Sequence, residues 1–288
     1  MRAERIQFKD LPADFLEVLV REFVPYSVGL ARVSTAHPLE FTPLGSGTLV
    51  KKRGRIGILT ADHCLRALRA RKSAGDLIYL VLRDHSIPLP PEIILEHELV
   101  TPASTEYGPD LGFLEIAASE RLDSIRALAS VWPLDRDPKP LLREFSSAGS
   151  LLASLGIPEE RCHTEIKGNT FRRISYHPTR LNVIEKDNVT RRNGWDYIES
   201  KCWYGDSNPL PATFEGSSGG GIWGFKVHRN KSDNKLVIGR SALVGVQFYQ
   251  TALKRNLRYV RGHFIRSIYD LAWRKFDESQ SSRSRLRC

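Results

Sequence analysis

The sequence predicts an all-β fold, either a sandwich or a pair of barrels, with a helix at each end. Three observations predict it. Short apolar runs punctuated by turn residues recur from Ser27 to Tyr249, the texture of many short strands. Prolines cluster between those runs, at Pro88 to Pro91 and again at Pro133, Pro138 and Pro140, where they mark loops. Helical spacing of apolar residues is confined to the two ends.

In chain order, Asp14 to Val24 places Phe15, Leu16, Leu19, Val20 and Phe23 on one helical face and stops before Pro25. This helix, in an extension over residues 1–26, is expected to lie against a later core. The strand candidates are SVGLARVS, GSGTLVKK, RIGILTA, DLIYLVLR, DLGFLEI, GGGIWGFKV, KLVIGR and ALVGVQFY. The proline-rich stretch Asp135 to Pro140 is the expected linker between a first β unit, residues 27–134, and a second, residues 135–278. Leu141 to Pro211 is the least legible part and is expected to hold strands with long loops. Gly262 to Phe276 spaces Phe264, Ile268, Leu271 and Ala272 at i, i+4, i+7 and i+8, a helix able to pack on a β core. Residues 279–288 form a Ser/Arg-rich basic tail too polar to fold alone. There is no internal repeat.

Length and composition bound the function. A chain of 288 residues with 41% apolar content has enough interior for one or two ordinary domains. The net charge is +10, and the stretch from Lys254 to Cys288 holds ten basic and three acidic residues, so most of the excess is local. Charges at Glu4, Arg5, Lys9, Asp10 and Asp14 interrupt the N-terminus, which reads as no export signal, and no apolar stretch approaches the roughly 18 residues needed to cross a bilayer. A soluble protein is expected in preference to a mature form that has lost a leader. Four cysteines, Cys64, Cys162, Cys202 and Cys288, are widely spaced and contain no C-x-x-C pair, which fits a reducing, cytoplasmic compartment.

Three segments carry the chemistry. Gly57 to Cys64 is an apolar strand that ends in Thr60-Ala61 and delivers His63, the side chain type whose pKa suits a general base near neutrality. Pro109 to Ile116 opens a strand with Asp110. Taken singly, each has a plain structural reading, a strand-end histidine and a turn aspartate. Phe214 to Trp223 contains Gly216-Ser217-Ser218-Gly219-Gly220. A serine attacks only when a base takes its proton, and the oxyanion formed needs main-chain N–H donors unobstructed by side chains. The N–H groups of Gly216 and Ser218 are the expected oxyanion hole.

In the order His63, Asp110, Ser218 the sequence resembles the trypsin/chymotrypsin-like serine proteases, whose signatures are T-A-x-H-C, an aspartate opening D-x-x-x-L, and G-x-S-G-G. The chain order separates this family from the subtilisin and α/β-hydrolase types. Ala242 to Tyr249 is similar to the family's strand that binds substrate backbone, and the resemblance runs roughly from Gly45 to Gln250. It implies a double six-stranded β-barrel, the first barrel carrying His63 and Asp110 and the second carrying Ser218 and the C-terminal helix. It also implies an endopeptidase with no cofactor and no metal. Ser218 would attack, His63 would carry the proton, and Asp110 would orient His63. Ser217 stands where secreted members commonly carry aspartate, which argues against activation by a new N-terminus. The position near Gly45 lacks the cysteine that would pair with Cys64, so Cys64 is expected as a free buried thiol. Glu215 is expected at the cleft rim. Ala212 would floor a small or apolar primary pocket lined by Thr213 and Gln250, with Phe248 beside the substrate.

A zinc site at His63, Cys64, Cys162 and His163 would need adjacent ligands, a spacing zinc sites rarely use. Nucleic-acid binding through Lys51, Lys52, Arg53 and Arg55, the Arg66 to Lys72 run or the C-terminal arginines lacks any accompanying signature and is not expected. No membrane partner is expected either. The partners expected are a protein or peptide substrate and a regulatory protein that relieves a latent state, by analogy with bacterial stand-alone intracellular peptidases. The runner-up is a catalytically quiet, protein-binding adaptor on the same fold.

Overall fold

The structure, a computed structural model, describes residues 11–34, 40–100, 107–145, 151–167, 170–176, 182–204, 211–230 and 232–285. It is mostly strand. Helix α1, Ala13–Phe23, turns Phe15, Leu19 and Phe23 inward at i, i+4 and i+8 and gives way to a short 3₁₀ turn at Val24–Tyr26 that contains Pro25.

The first sheet contains β1 (Ser27–Val33), β2 (Phe41–Lys52), β3 (Arg55–Thr60), β4 (Leu77–Leu82), β5 (His85–Pro88), β6 (Ile94–Val100), β7 (Leu111–Ile116) and the two-residue β8 (Trp132–Pro133). Its order is β5-β4-β1-β2-β3-β7-β6, with β8 parallel to β2. This path differs from the six-stranded barrel expected: it has seven strands, and its ends β5 and β6 do not pair with each other among the described residues. Pro88 ends β5 and Pro90 and Pro91 follow it, and proline has no N–H to donate to a ladder.

The second sheet uses β9 (Leu151–Leu155), β12 (Asn182–Arg192), β13 (Trp195–Trp203), β14 (Gly221–Arg229), β15 (Leu236–Gln250) and β16 (Leu257–His263), and its pairing closes on itself in the order β12-β13-β16-β15-β14-β9. Strands β10 (Cys162–Lys167) and β11 (Thr170–Tyr176) form a separate hairpin. The two runs expected over 235–249 are one strand, β15, because irregularities in its pairing with β14 at Ile222/Trp223 and Phe225/Val227 absorb the mismatch without ending it.

Four further corrections concern helices. Helix α2, Asp62–Ser73, follows β3 directly and buries Cys64, Leu65 and Leu68; its many charges hid this narrow apolar stripe. Helix α3, Glu120–Leu128, is capped by Ser119, whose Oγ accepts from Leu122 N at 3.3 Å. The expected linker contains the start of α4, Pro138–Phe145: Pro138 opens the helix, and Asp137 Oδ1 accepts from Lys139 N at 3.0 Å. Gly262 and His263 belong to β16, so the C-terminal helix begins after them, with a π turn at Ser267–Leu271 leading into α5, Ala272–Arg285. The tail expected to be unfolded is therefore helical to Arg285, since extending an existing helix avoids the cost of a new nucleus. Residues 286–288 lie outside the described residues.

Each chain end crosses to the opposite sheet. Phe23 of α1 stacks on Trp223 of β14 at 5.0 Å, and Tyr26 and Trp132 pack edge-on or tilted against the same indole. From α5, Trp273 meets Phe113 of β7 at 5.1 Å, and Phe276 meets His97 of β6 at 4.9 Å. One continuous core joins the sheets. Among the described residues no helix is long and apolar enough to cross a membrane.

Candidate active site

Strand register brings His63 and Asp110 together. Strands β3 and β7 are antiparallel with Thr60 opposite Gly112, so the chain leaving β3 and the chain entering β7 emerge side by side. His63 then sits in the first turn of α2, and Asp110 just before β7. His63 Nδ1 lies 2.6 Å from Asp110 Oδ2, and the His63 main-chain N–H donates to Asp110 Oδ1 at 3.0 Å. An ionised carboxylate only accepts, so Nδ1 carries the proton and Nε2 is left to face outward as a base. Burial disfavours the charged imidazolium, but the Asp110 carboxylate, with the Cys64 sulfur, outweighs it and raises the His63 pKa. Burial likewise opposes ionisation of Asp110, and the hydrogen bonds and charge of His63 prevail to lower its pKa.

Ser218 comes from the other sheet, in the turn that feeds β14. Ser46 of β2 fastens this turn to the first sheet. Its N–H donates to Ser218 O at 2.7 Å, its Oγ donates to Gly216 O at 2.7 Å, and the same Oγ accepts from Ile157 N at 2.8 Å. Cys64 Sγ touches Ser218 O at 3.4 Å. A Cβ on Gly45 would run into that sulfur, so Cys64 packs where a side chain at 45 would be, and it is unpaired.

The hydrogen bonds of residues 214–220 leave a specific gap. Phe214 N donates to Gln250 Oε1, Glu215 N to Thr213 Oγ1, Ser217 N to Phe214 O, Gly219 N to Gln247 O and Gly220 N to Ser217 O. Gly216 N and Ser218 N alone have no acceptor among the described residues. Their direction follows from the planar trans peptide, in which N–H and C=O point opposite ways. Glu215 O is held by Glu159 N at 3.1 Å, and Ser217 O by Gly220 N at 3.0 Å and by Gln247 Nε2. Both N–H groups therefore point away from those anchors. Glycine is required at two points of this turn. Gly216 has φ +80° and Gly219 has φ +87°, and a Cβ at 219 would strike Thr60 and Ser46.

The Ser218 hydroxyl makes no hydrogen bond among the described residues, to His63 or to any other group. Ser217 is fully buried, and its Oγ has no hydrogen-bond partner among the described residues. Glu215 and Ala212 are exposed, and Thr213 is half-buried beside Gln250, whose Nε2 donates to Thr213 Oγ1 at 3.0 Å. Phe248 departs from expectation. Its ring is buried against His263 at 4.9 Å and Tyr197 at 6.0 Å, because its position on β15 turns it into the core, so it supports the site from beneath and offers a substrate little side-chain surface.

Sequence reasoning missed Ser46, Asp62 and His263. His263 Nε2 accepts the Asp110 main-chain N–H at 2.9 Å, so this buried imidazole is neutral, with its proton on Nδ1, which has no partner among the described residues. Burial lowers its pKa to about 3. Asp62 is wholly buried next to His63, 3.1 Å from Arg66 Nε, and burial raises its pKa to about 6. No sequence signal marked His263, since it lies 153 positions from Asp110.

Several residues of the basic runs are paired with carboxylates or carbonyls. Arg69 pairs with Glu96 and Glu98, Lys72 with Glu96, Arg55 with Glu115 and Arg53 with Asp277, while Lys52 is buried with its Nζ on Leu134 O and Tyr269 O. Among the described residues no three His, Cys, Asp or Glu side chains are grouped to hold a metal. The side chain of His163 lies outside the described residues.

No protein-family model and no curated protein matches the chain. Among solved structures, one described as "Crystal structure of Deg5" is similar over 88% of this chain and 91% of that one, at 15% identity and a TM-score of 0.40.

Proposed function

We propose that the chain is a trypsin-like serine endopeptidase built on two β sheets, hydrolysing peptide bonds of a protein substrate through an acyl-enzyme. The observation that carries this reading is the pair of uncommitted N–H groups at Gly216 and Ser218 beside an Asp110–His63 couple of correct tautomer. In the reaction, Ser218 Oγ attacks the scissile carbonyl carbon as His63 Nε2 takes its proton. The carbonyl oxygen becomes an oxyanion held by the two N–H groups. Collapse breaks the C–N bond, and the departing amine takes the proton from His63. Water, deprotonated by His63, then attacks the ester, and the acid leaves as Ser218 regains its proton. Asp110 holds the imidazole in register and supports its positive charge.

The chain's own groups supply every proton transfer, so no cofactor enters the scheme. The unpaired thiols of Cys64, Cys162 and Cys202 support a reducing, cytoplasmic setting. The free Ser218 hydroxyl favours a second reading, a site completed only when substrate or a regulatory partner binds, and in its extreme form a quiet adaptor.

Hydrolysis of a quenched-fluorescent peptide library tests the reading. Wild type is expected to cleave. Ser218→Ala should abolish turnover with circular dichroism unchanged, and Asp110→Asn should lower kcat by about 10⁴-fold through the wrong imidazole tautomer. Equal turnover by wild type and Ser218→Ala would overturn it.

A further inference from the structure

A buried cation stands behind the segment that precedes Ser218. Arg258 of β16 is 9% exposed, in register with the buried Cys202 of β13. Its Nη1 donates to Gln250 Oε1 at 2.8 Å, and the same oxygen accepts Phe214 N at 2.9 Å, while Gln250 Nε2 reaches Thr213. Gln250 thus ties the end of β15 to residues 213–214, with Arg258 immediately behind it. Among the described residues nothing neutralises the guanidinium. Its Nε is buried without an acceptor, and among the described residues no carboxylate pairs with it. Glu160, the carboxylate that touches this segment, accepts from Ala212 N at 3.3 Å and is exposed. The face of Tyr204 lies 5.6 Å from the guanidinium carbon.

A buried charge served only by a neutral amide and a ring is expensive, and a carboxylate in its place would relieve that cost with charge-assisted, bidentate geometry. Residues 212–214 lead directly into the Gly216–Ser218 turn, so Gln250 and Arg258 stand behind the segment that enters the candidate site. We propose that Arg258 is the specificity determinant of the site, receiving the carboxylate of an acidic side chain on the substrate residue whose carbonyl Ser218 attacks. This rests on the endopeptidase reading. It replaces the small or apolar pocket expected from Ala212, which is exposed.

The test is a series of otherwise identical fluorogenic peptides with Glu, Asp, Gln, Ala, Phe or Lys before the scissile bond. Wild type should favour Glu or Asp over Gln by about 10- to 100-fold in kcat/KM. Arg258→Met, which removes a poorly neutralised buried charge while keeping the stem's volume, should bring that ratio close to unity. Binding gives a second readout: an acetylated peptide amide ending in Glu should raise the melting temperature of wild type more than its Gln counterpart, and of Arg258→Met no more. A wild-type preference for uncharged or basic residues, or an acid preference that survives in Arg258→Met, overturns the proposal. If a fluorophosphonate labels wild type while no acid preference exists, this inference alone fails; if wild type is not labelled, the endopeptidase reading fails first.

Discussion

Asp110 is flanked by two histidines whose titrations act in opposite directions. The raised pKa of His63 means that its contribution to stability is complete below 6.5 and fades as pH rises through the folded value. Catalysis runs the other way, because only the neutral imidazole takes a proton from Ser218. His263, depressed to about 3, contributes stability that is present above 6.5 and lost as pH falls from there toward 3. His263→Phe should therefore remove part of the acid destabilisation measured by urea unfolding at pH 4 and pH 7. It should also leave the buried Asp110 N–H unpaired, at roughly 1–3 kcal/mol. As a positioning residue, His263 should reveal itself in the pH–rate profile, with the acid limb moving down in His263→Phe and recovering in His263→Gln, whose amide oxygen can accept. A stability change with an unmoved profile would limit His263 to packing. The three residues of the reacting group were legible because each lies in a compact local motif. His263, Ser46 and Arg258 were not, because each acts across strand pairings that only the folded register creates.

The legible elements were those with a clean periodicity. Phe15, Leu19 and Phe23 announced α1, and the alternating or apolar runs announced β1 to β4, β7 and β14. Helix α2 looks like a basic run in the sequence because Arg66, Arg69, Arg71 and Lys72 outnumber its buried apolar residues Cys64, Leu65 and Leu68, and only the fold supplies the carboxylates that Arg69 and Lys72 meet. Strands β10 to β12 are mostly polar, and β9 and β13 also pair with the distant β14 and β16, so their local sequence carries little. The clearest energetic test of an element is α1, which has no ladder hydrogen bonds and holds by its aromatic face. Phe23→Ala should cost about 3–5 kcal/mol, seen as a lowered denaturant midpoint with unchanged slope. A loss below about 1 kcal/mol would mean that the stacking of Phe23 on Trp223 contributes little to holding the helix.

At the scale of the whole molecule, neither sheet holds a complete site. The base and its carboxylate come from the β3–β7 edge, the nucleophile and both N–H donors from the turn before β14, and His263 and Ser46 reach across in opposite directions. The two end helices brace the same junction. The central claim is that this docking makes Ser218 a reactive nucleophile, and the most direct measurement is fluorophosphonate labelling of folded wild type and Ser218→Ala across pH. Wild type should label at a rate that climbs with pH above 6.5 as His63 loses its proton, and Ser218→Ala should not label. Equal labelling of both proteins, or none of folded wild type at any pH, would contradict the account.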